Sequence, residues 1–389
     1  MHKPDSLKNC VIRSVEAHVF RVPLEKPVST SFGTMQDRPA VLVRLEDENG
    51  LVGWGEIWCN WPACGAEHRA RLLVSDIAPR IIDRPLPDPA NLWRELSKKT
   101  EILALQTGEA GPYSQVIAGF DMAYWDLTAR RCGVSLAKAL SPDTQGEVRA
   151  YASGIHICDA EAMVAQARDN GYRDFKVKVG FDFNRDLALL RSLAQSLQSG
   201  ETLYADANQA FSPDVARDFL LATIDLDLGW LEEPVRADAS RAVWNKLARL
   251  TATPLAGGEN IVGLSSFQSA IRAGQLFVIQ PDAAKWGGPT GCYAVAQAAL
   301  IAGRRYCPHF LGAGIGLTAS AHILAAAGGD GLLEIDVNPN PLRDAVVSTW
   351  PAVNNGVVSL PTGPGLGVVP DLEWLEPFRV LNLQHGSQI

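Results

Sequence analysis

A chain of 389 residues is longer than one ordinary domain needs, and its 47% hydrophobic and 20% charged residues supply enough apolar surface for a sizeable core, which excludes a largely disordered protein. The formal net charge of -8, with no run of Lys and Arg interleaved with aromatics, excludes a basic nucleic-acid footprint and points to small-molecule partners. Seven cysteines without a CxxC pair read as reduced thiols, and the polar start, Met1 to Cys10, together with the absence of a membrane-length apolar run, reads as a soluble cytoplasmic protein with no membrane partner.

From Val11 to about Glu56 the pattern is that of strands. Val15-Glu-Ala-His-Val-Phe-Arg-Val alternates, Ala40-Val-Leu-Val-Arg-Leu repeats the alternation, and Glu48-Asn-Gly supplies a turn, so an antiparallel meander is expected. Between Ala66 and Leu140 the period becomes helical, with Val116, Gly119, Phe120, Ala123, Tyr124 and Leu127 forming an apolar stripe and Gly133 a stop. Residues 1–140 therefore read as an α+β domain. From about Val148, short apolar runs ending in polar residues alternate with helical stretches. Eight such runs, Ala150–Ser153, Asp174–Val179, Thr202–Ala205, Trp230–Leu231, Leu255–Gly257, Phe277–Gln280, Arg305–Pro308 and Leu332–Leu333, predict a parallel (β/α) barrel over 141–345. The Pro- and Gly-rich segment 346–389 is expected to return to the first domain.

The spacing carries the functional signal. Lys178 to Asp206 is 28 positions, Asp206 to Glu232 is 26, Glu232 to Glu259 is 27 and Asp282 to His309 is 27, each about one βα unit. In a barrel, residues separated by whole units converge at the mouth where the strands end. Asp206, Glu232 and Glu259 close three successive strand candidates, and three acids at one mouth repel one another unless a cation sits between them; all-oxygen donors favour Mg²⁺ over Zn²⁺. Lys176 and Lys178 flank Val177, so a period of two sends both to the same face, where a lysine near another cation can serve as a neutral general base. Asp282 and His309 form a candidate dyad in which the carboxylate fixes the imidazole tautomer. Glu334, ending the eighth run, is expected to hydrogen-bond a substrate carboxylate in its protonated form.

Taken together, Lys176-Val-Lys178, Asp206-Ala-Asn208, Glu232-Glu-Pro, Gly258-Glu259-Asn260, Pro281-Asp282-Ala-Ala-Lys285-Trp-Gly-Gly and His309 resemble the mandelate racemase subgroup of the enolase superfamily. Gly53-Trp-Gly-Glu-Ile and Asp121-Met-Ala-Tyr-Trp-Asp-Leu extend the resemblance over nearly the whole chain. It implies a modified TIM barrel of the (β/α)7β type under an α+β capping domain, with Asp206, Glu232 and Glu259 as Mg²⁺ ligands. By position it implies Lys178 as the base on one face of the substrate, Lys176 as the residue that tunes it or touches the carboxylate, and His309, oriented by Asp282, acting on the other face. Asn208 and Lys285 become secondary polar contacts, Glu233 does not match the ligand position, and a symmetric homo-oligomer is expected. Enolase-superfamily sites as a class pair a Lys or His base with Mg²⁺.

The shared half-reaction is removal of the proton α to a carboxylate, and fold alone does not fix the fate of the resulting enolate. With a β-hydroxyl, His309 can expel water and yield a 2-keto acid; without a leaving group the enolate is reprotonated, as in a racemase or epimerase. The resemblance favours dehydration of a polyhydroxylated sugar acid. Substrate contacts are also expected from loops at Val28–Gly33 and Trp58–His68, with His68, Asn60, Arg343 and His156 as polar candidates and Trp58 and Trp61 as a lid. His322 reads as structural. Two competing classes are a non-catalytic small-molecule-binding barrel, which has no use for three clustered acids and two proton-transfer faces, and a dinucleotide-dependent reductase, for which no GxGxxG follows the first strand.

Overall fold

A computed structural model describes residues 10–30, 33–346 and 352–387. Met1 to Asn9 and the Ser31-Phe32 tip of the expected Val28–Gly33 loop lie outside the described residues.

Three antiparallel strands, Cys10–Thr30, Gly33–Asp47 and Val52–Ile57, form the amino-terminal meander, and the strand Arg379–Gly386 near the carboxyl end adds to its free edge against the first strand. The turn after Asp47 forms because its Oδ1 accepts the amides of Asn49 and Leu51, both at 2.9 Å, and Gly50 takes the positive φ of 77°. Two long helices cover the sheet. Pro89–Thr107 starts on an Asp88 side-chain cap with Pro at its first turn and stops at left-handed Gly108, as its sequence dictates. Ala110–Arg131 is buried on almost every face from Gln115 to Ala129, more than the predicted stripe, because it is sandwiched between this sheet and the barrel. Its contact with the sheet is a backbone approach: a Cβ on Gly55 would lie 2.1 Å from the Gly119 carbonyl oxygen, and one on Gly119 would lie 2.4 Å from Ile57 Cγ1. That is why the sheet strand reads Gly-Trp-Gly and the helix carries a glycine at its centre.

The barrel strands, first to eighth, run Glu147–His156, Asp174–Lys178, Thr202–Asp206, Leu231–Glu232, Leu255–Gly257, Val278–Ile279, Arg305–Tyr306 and Leu332–Asp336. All neighbours that pair are parallel; the ladder runs from the seventh strand back through the first and on to the eighth. Between the seventh and eighth, the Leu332 amide donates to Cys307 Sγ at 3.4 Å. A helix follows each strand, the last being the short Pro341–Val346, so the (β/α) reading and the capping α+β unit are both seen.

Inside the barrel the period of two builds layers. Tyr151, Tyr204, Trp230, Ala256, Val278, Cys307 and Leu332 form one apolar floor. Tyr204 stacks on Trp230 at 3.8 Å between ring centroids and Tyr151 meets Trp230 edge-on at 5.4 Å. Two residues further along the same strands stand Ser153, Asp206, Glu232, Gln280, His309 and Glu334, so the polar layer rests directly on the aromatic one.

The two units are joined by buried acids rather than by apolar contact alone. Asp121 accepts both the amide and the hydroxyl of Thr290, each at 2.9 Å, at the start of the helix after the sixth strand. Asp126 accepts the amides of Trp54 (2.8 Å) and Leu366 (2.6 Å), and Arg38 pairs with Asp336 at 2.7 Å. The Asp-Met-Ala-Tyr-Trp-Asp run is thus a clasp, tying the cap helix to the barrel through Asp121 and to the carboxyl-terminal segment through Asp126. Among the described residues no helix is long and apolar enough to cross a membrane, and the seven cysteines are free thiols.

Candidate active site

A cavity of about 480 Å³ opens at the carboxyl ends of the strands. Lys178, Asn208, Glu259, Lys285 and His309 line its barrel side; Met35, Trp58, Asn60, Trp61 and Pro62 line it from the cap. The site therefore lies where the two units meet, at the C-terminal face on which barrel enzymes carry their chemistry.

Each predicted residue has a definite place. Lys178, at the end of the second strand, puts its Nζ 2.5 Å from Asn208 Oδ1 and 3.5 Å from Asp206. Lys176 shares that face but sits one layer lower, 1% exposed and outside the cavity lining. Its Nζ contacts Glu232 at 2.8 Å and Glu334 at 2.7 Å, and lies 3.9 Å from Asp206 and 5.4 Å from the Tyr151 ring centroid. Burial alone would lower its pKa, but the carboxylates of Glu232 and Glu334 overturn this and hold it well above the usual lysine range. Lys176 is thus held in its cationic form by Glu232 and Glu334.

His309 follows the seventh strand. Its Nδ1 meets Asp282 at 2.8 Å and its Nε2 meets Glu259 at 2.8 Å. The dyad exists, and Asp282 in turn is fixed by the amides of Ala284 and Lys285. Burial opposes the imidazolium, yet Glu259, Glu334 and Asp282 together raise its pKa well above the usual histidine value.

Glu334 corrects one expectation. Rather than standing protonated as a donor toward substrate, it accepts from Ser153 Oγ (2.5 Å) and the Phe310 amide (2.9 Å) and pairs with Lys176 (2.7 Å). Burial would raise its pKa; Lys176 and then His309 bring it down to about 2, so it is an ionised acceptor. His68 and His156 also differ from expectation, since neither lines the cavity. His68 pairs with Glu109 at 3.0 Å on the cap, and His156 takes the Cys158 amide and packs on Phe181 with ring centroids 4.2 Å apart. Arg343 hydrogen-bonds the Asp336 and Asn338 carbonyls beside the eighth strand and does not face the cavity either.

Asp206 and Glu232 stand side by side in the strand register, and Glu259 lies two residues past Gly257 on the next strand. Among the described residues no group of three or more His, Cys, Asp or Glu side chains is placed to hold a metal ion. Each acid instead faces a cationic side chain: Asp206 faces Lys178, Glu232 faces Lys176, and Glu259 faces His309 and, at 3.8 Å, Lys285. The donor set nonetheless fits a hard cation. All its atoms are carboxylate oxygens, Asp206 and Glu232 are buried, and the side-chain carbonyl oxygen of Gln280, whose Nε2 donates to Glu232 at 2.7 Å, is buried with no partner.

Sequence reasoning gives no role to Asn260, Gln280, Trp230 or Glu56. Asn260 links the acids: its Nδ2 donates to both oxygens of Glu233 and to Glu259, while its Oδ1 accepts from Lys285 at 2.7 Å. Its place in the Gly-Glu-Asn run is the one signal that could have found it. Lys285 is further held over the Trp58 ring, 4.8 Å from its centroid. Backbone strain gathers here too, because Asn208, Gln209 and Glu233 hold φ of 42°, 65° and 37°.

The family of the enolase C-terminal domain-like proteins matches residues 159–374, and the mandelate racemase / muconate lactonizing enzyme N-terminal domain matches residues 14–140. A D-galactarolactone cycloisomerase from Agrobacterium fabrum is 28% identical over 95% of this chain and 99% of its own length. The crystal structure of a mandelate racemase/muconate lactonizing enzyme from Bordetella bronchiseptica RB50 superposes with a TM-score of 0.88 at 47% identity, covering 95% of this chain and 99% of that one. An L-talarate dehydratase from Polaromonas sp. JS666, solved with Mg and L-glucarate, has a TM-score of 0.81 at 26% identity over 97% of this chain and 99% of its own. Other relatives are named as dehydratases, racemases and epimerases, so both lyases and isomerases surround the sequence. The chain belongs to the mandelate racemase / muconate lactonizing enzyme family of the enolase superfamily.

Proposed function

We propose that this protein removes the proton α to the carboxylate of a hydroxy acid with the help of Mg²⁺, and that its reaction is the dehydration of a polyhydroxylated sugar acid to a 2-keto-3-deoxy acid. The observation that carries the reading is that a lysine from the second strand and a histidine from the seventh open onto one cavity together with Glu259. Asp206, Glu232 and Glu259 would hold the cation, which supplies polarisation of the substrate carboxylate when bound.

The remaining roles belong to side chains. The Lys178 amine stands where it can take the α-proton, with Asn208 fixing its Nζ. The His309 imidazole lines the cavity with its Nδ1 tied to Asp282, and from Nε2, which rests 2.8 Å from Glu259, it can give a proton to a departing β-hydroxyl. Lys176 contributes a permanent positive charge beneath the site, favouring the negative charge that develops on the enolate. Trp58, Trp61 and Pro62 cover the mouth from the cap and exclude water.

Racemisation or epimerisation of a 2-hydroxy acid is the second reading, since the same two bases on opposite faces serve it and relatives carry both names. Screening a library of sugar acids and hydroxy acids with Mg²⁺ in deuterated water separates them. Keto acid formation from one diastereomeric set supports dehydration, deuterium at the α-carbon without keto acid supports the isomerase, and neither product with any acid would sink both.

A further inference from the structure

Glu56 stands next to the end of the cap strand Val52–Ile57, 3% exposed, and its carboxylate crosses to the barrel. One oxygen accepts the Ala313 amide at 2.6 Å and the other the Gly316 amide at 2.8 Å, at the start of the helix Gly314–Ala327. That helix has no capping side chain of its own, since its N-cap is Ala313. Four amides at a helix start need acceptors, and a buried carboxylate there also meets the positive end of the helix dipole. The sequence has been shaped to admit it: a Cβ on Gly312 would lie 2.5 Å from Glu56 Oε1 and 2.6 Å from Phe310 Cζ.

The helix start is the far end of a short segment that begins at His309. Every turn of that segment is tied. His309 is held by Asp282, the Phe310 amide by Glu334, the Leu311 carbonyl by Asn60 Nδ2 at 2.8 Å and the Gly312 carbonyl by Asn340 Nδ2 at 2.8 Å. Two of these ties, Glu56 and Asn60, come from the cap, and Leu311 and Asn60 both line the cavity.

We infer that Glu56 is a positioning residue through which the capping domain sets the place of His309, and hence of one of the two proton-transfer faces. The inference rests on the two-base reading of the site. It predicts an asymmetry: disturbing Glu56 displaces the His309 side and leaves Lys178, held by Asn208 on the second and third strands, where it is. A Gln at 56 keeps the shape but turns one oxygen into an NH₂ that faces an amide N–H, so one helix amide loses its acceptor.

The first readout needs no substrate. In full-length protein labelled with ¹⁵N-histidine, His309→Asn identifies the His309 ring signals; E56Q is expected to move them while those of His156, at the end of the first barrel strand, stay. Unmoved His309 signals in folded E56Q overturn the inference. The second readout is α-deuterium incorporation into the two epimers of an active acid, assigned to their faces with Lys178→Ala and His309→Asn. E56Q is expected to slow exchange at the His309 face by about tenfold more than at the Lys178 face, the scale set by sub-ångström misplacement of a catalytic group. Equal loss at both faces, or none, overturns it. If E56Q does not fold, Asn60→Ala removes the neighbouring tie from the cap and is read by the same two measurements with the same criteria. Absence of exchange with every acid in the wild type would sink the proposed function, and the histidine spectrum would still decide on Glu56.

Discussion

His322 gives the protein a built-in acid sensitivity that can be calculated and isolated. It sits in the helix Gly314–Ala327, fully buried, where its Nδ1 accepts the Ala137 amide at 3.3 Å and its Nε2 donates to the Leu366 carbonyl at 3.1 Å. Both bonds suit the neutral ring, and burial, the dominant influence, lowers its pKa from 6.5 to about 4. The sign follows from linkage. Above pH 6.5 the ring is neutral folded and unfolded, and contributes no pH dependence. As pH falls below 6.5 the unfolded chain takes up a proton that the folded chain refuses until about pH 4, so stability drops across that window. With those two values the loss is about 2 kcal/mol at pH 5 and about 3 kcal/mol at pH 4. Glu56 acts in the opposite sense, since burial raises it to about 7, so the total pH profile does not isolate His322. The comparison with His322→Gln does. Gln can still donate toward Leu366, and the variant is expected to be less stable by about 1–2 kcal/mol at pH 7.5 through poorer packing and the weakened Ala137 bond. At pH 5 that deficit should shrink or reverse, because the variant has no buried imidazole to keep neutral. Urea midpoints at pH 7.5, 6 and 5 measure the difference. A deficit that stays constant over this range would refute the argument.

Glu259→Gln is expected to weaken Mg²⁺ binding by at least about tenfold in calorimetric titration while the circular dichroism spectrum stays unchanged; undiminished binding would remove Glu259 from the cation's ligands. Lys178→Ala and His309→Asn should each abolish α-deuterium exchange at one epimer only, by about 10²- to 10⁴-fold, and full exchange at both epimers in either variant ends the two-base assignment. Asp126→Asn leaves at least one of the Trp54 and Leu366 amides facing an NH₂ group, so a loss of about 1–3 kcal/mol in urea unfolding is expected; a loss under about 0.5 kcal/mol would show that the clasp is dispensable. Trp58→Ala removes the ring beneath Lys285 and one wall of the cavity, and should change the ranking of acids by kcat/KM more than it changes the unfolding midpoint.

Some of the site was legible because its logic is periodic. The interval of about 27 residues between Asp206, Glu232 and Glu259 is a property of repeated βα units, and the structure places these residues at the ends of adjoining strands. The Asp-His pair is readable for the same reason, and the Lys-x-Lys pair because a strand's period of two puts both lysines on one face. What was not legible depends on contacts far apart in the chain. Glu56 meets Ala313 across 257 positions, and nothing near Glu56 announces an uncapped helix start. His68 and His156 are polar residues in the right stretches of chain, but polarity in a loop does not give direction: one turns to Glu109 and the other to Phe181. Glu334 escaped for another reason. Whether a buried carboxyl carries a proton is decided by its neighbours, and Lys176, Ser153 and the Phe310 amide all donate to it.

The two lysines of the second strand show where a pattern stops and depth begins. A period of two puts Lys176 and Lys178 on one face, and the structure does so, but they stand at different levels of the barrel. Lys176 rests just above the aromatic floor and is enclosed by Glu232, Glu334 and Tyr151. Removing that cation would leave the buried Glu232 and Glu334 their hydrogen bonds but take away the nearest countercharge, at a cost of about 3–5 kcal/mol. Lys178, one step higher, has Asn208 as its close partner and the cavity in front of it. One strand thus holds two lysines in different settings: the deeper one is enclosed by the acids it pairs with, and the upper one faces the cavity.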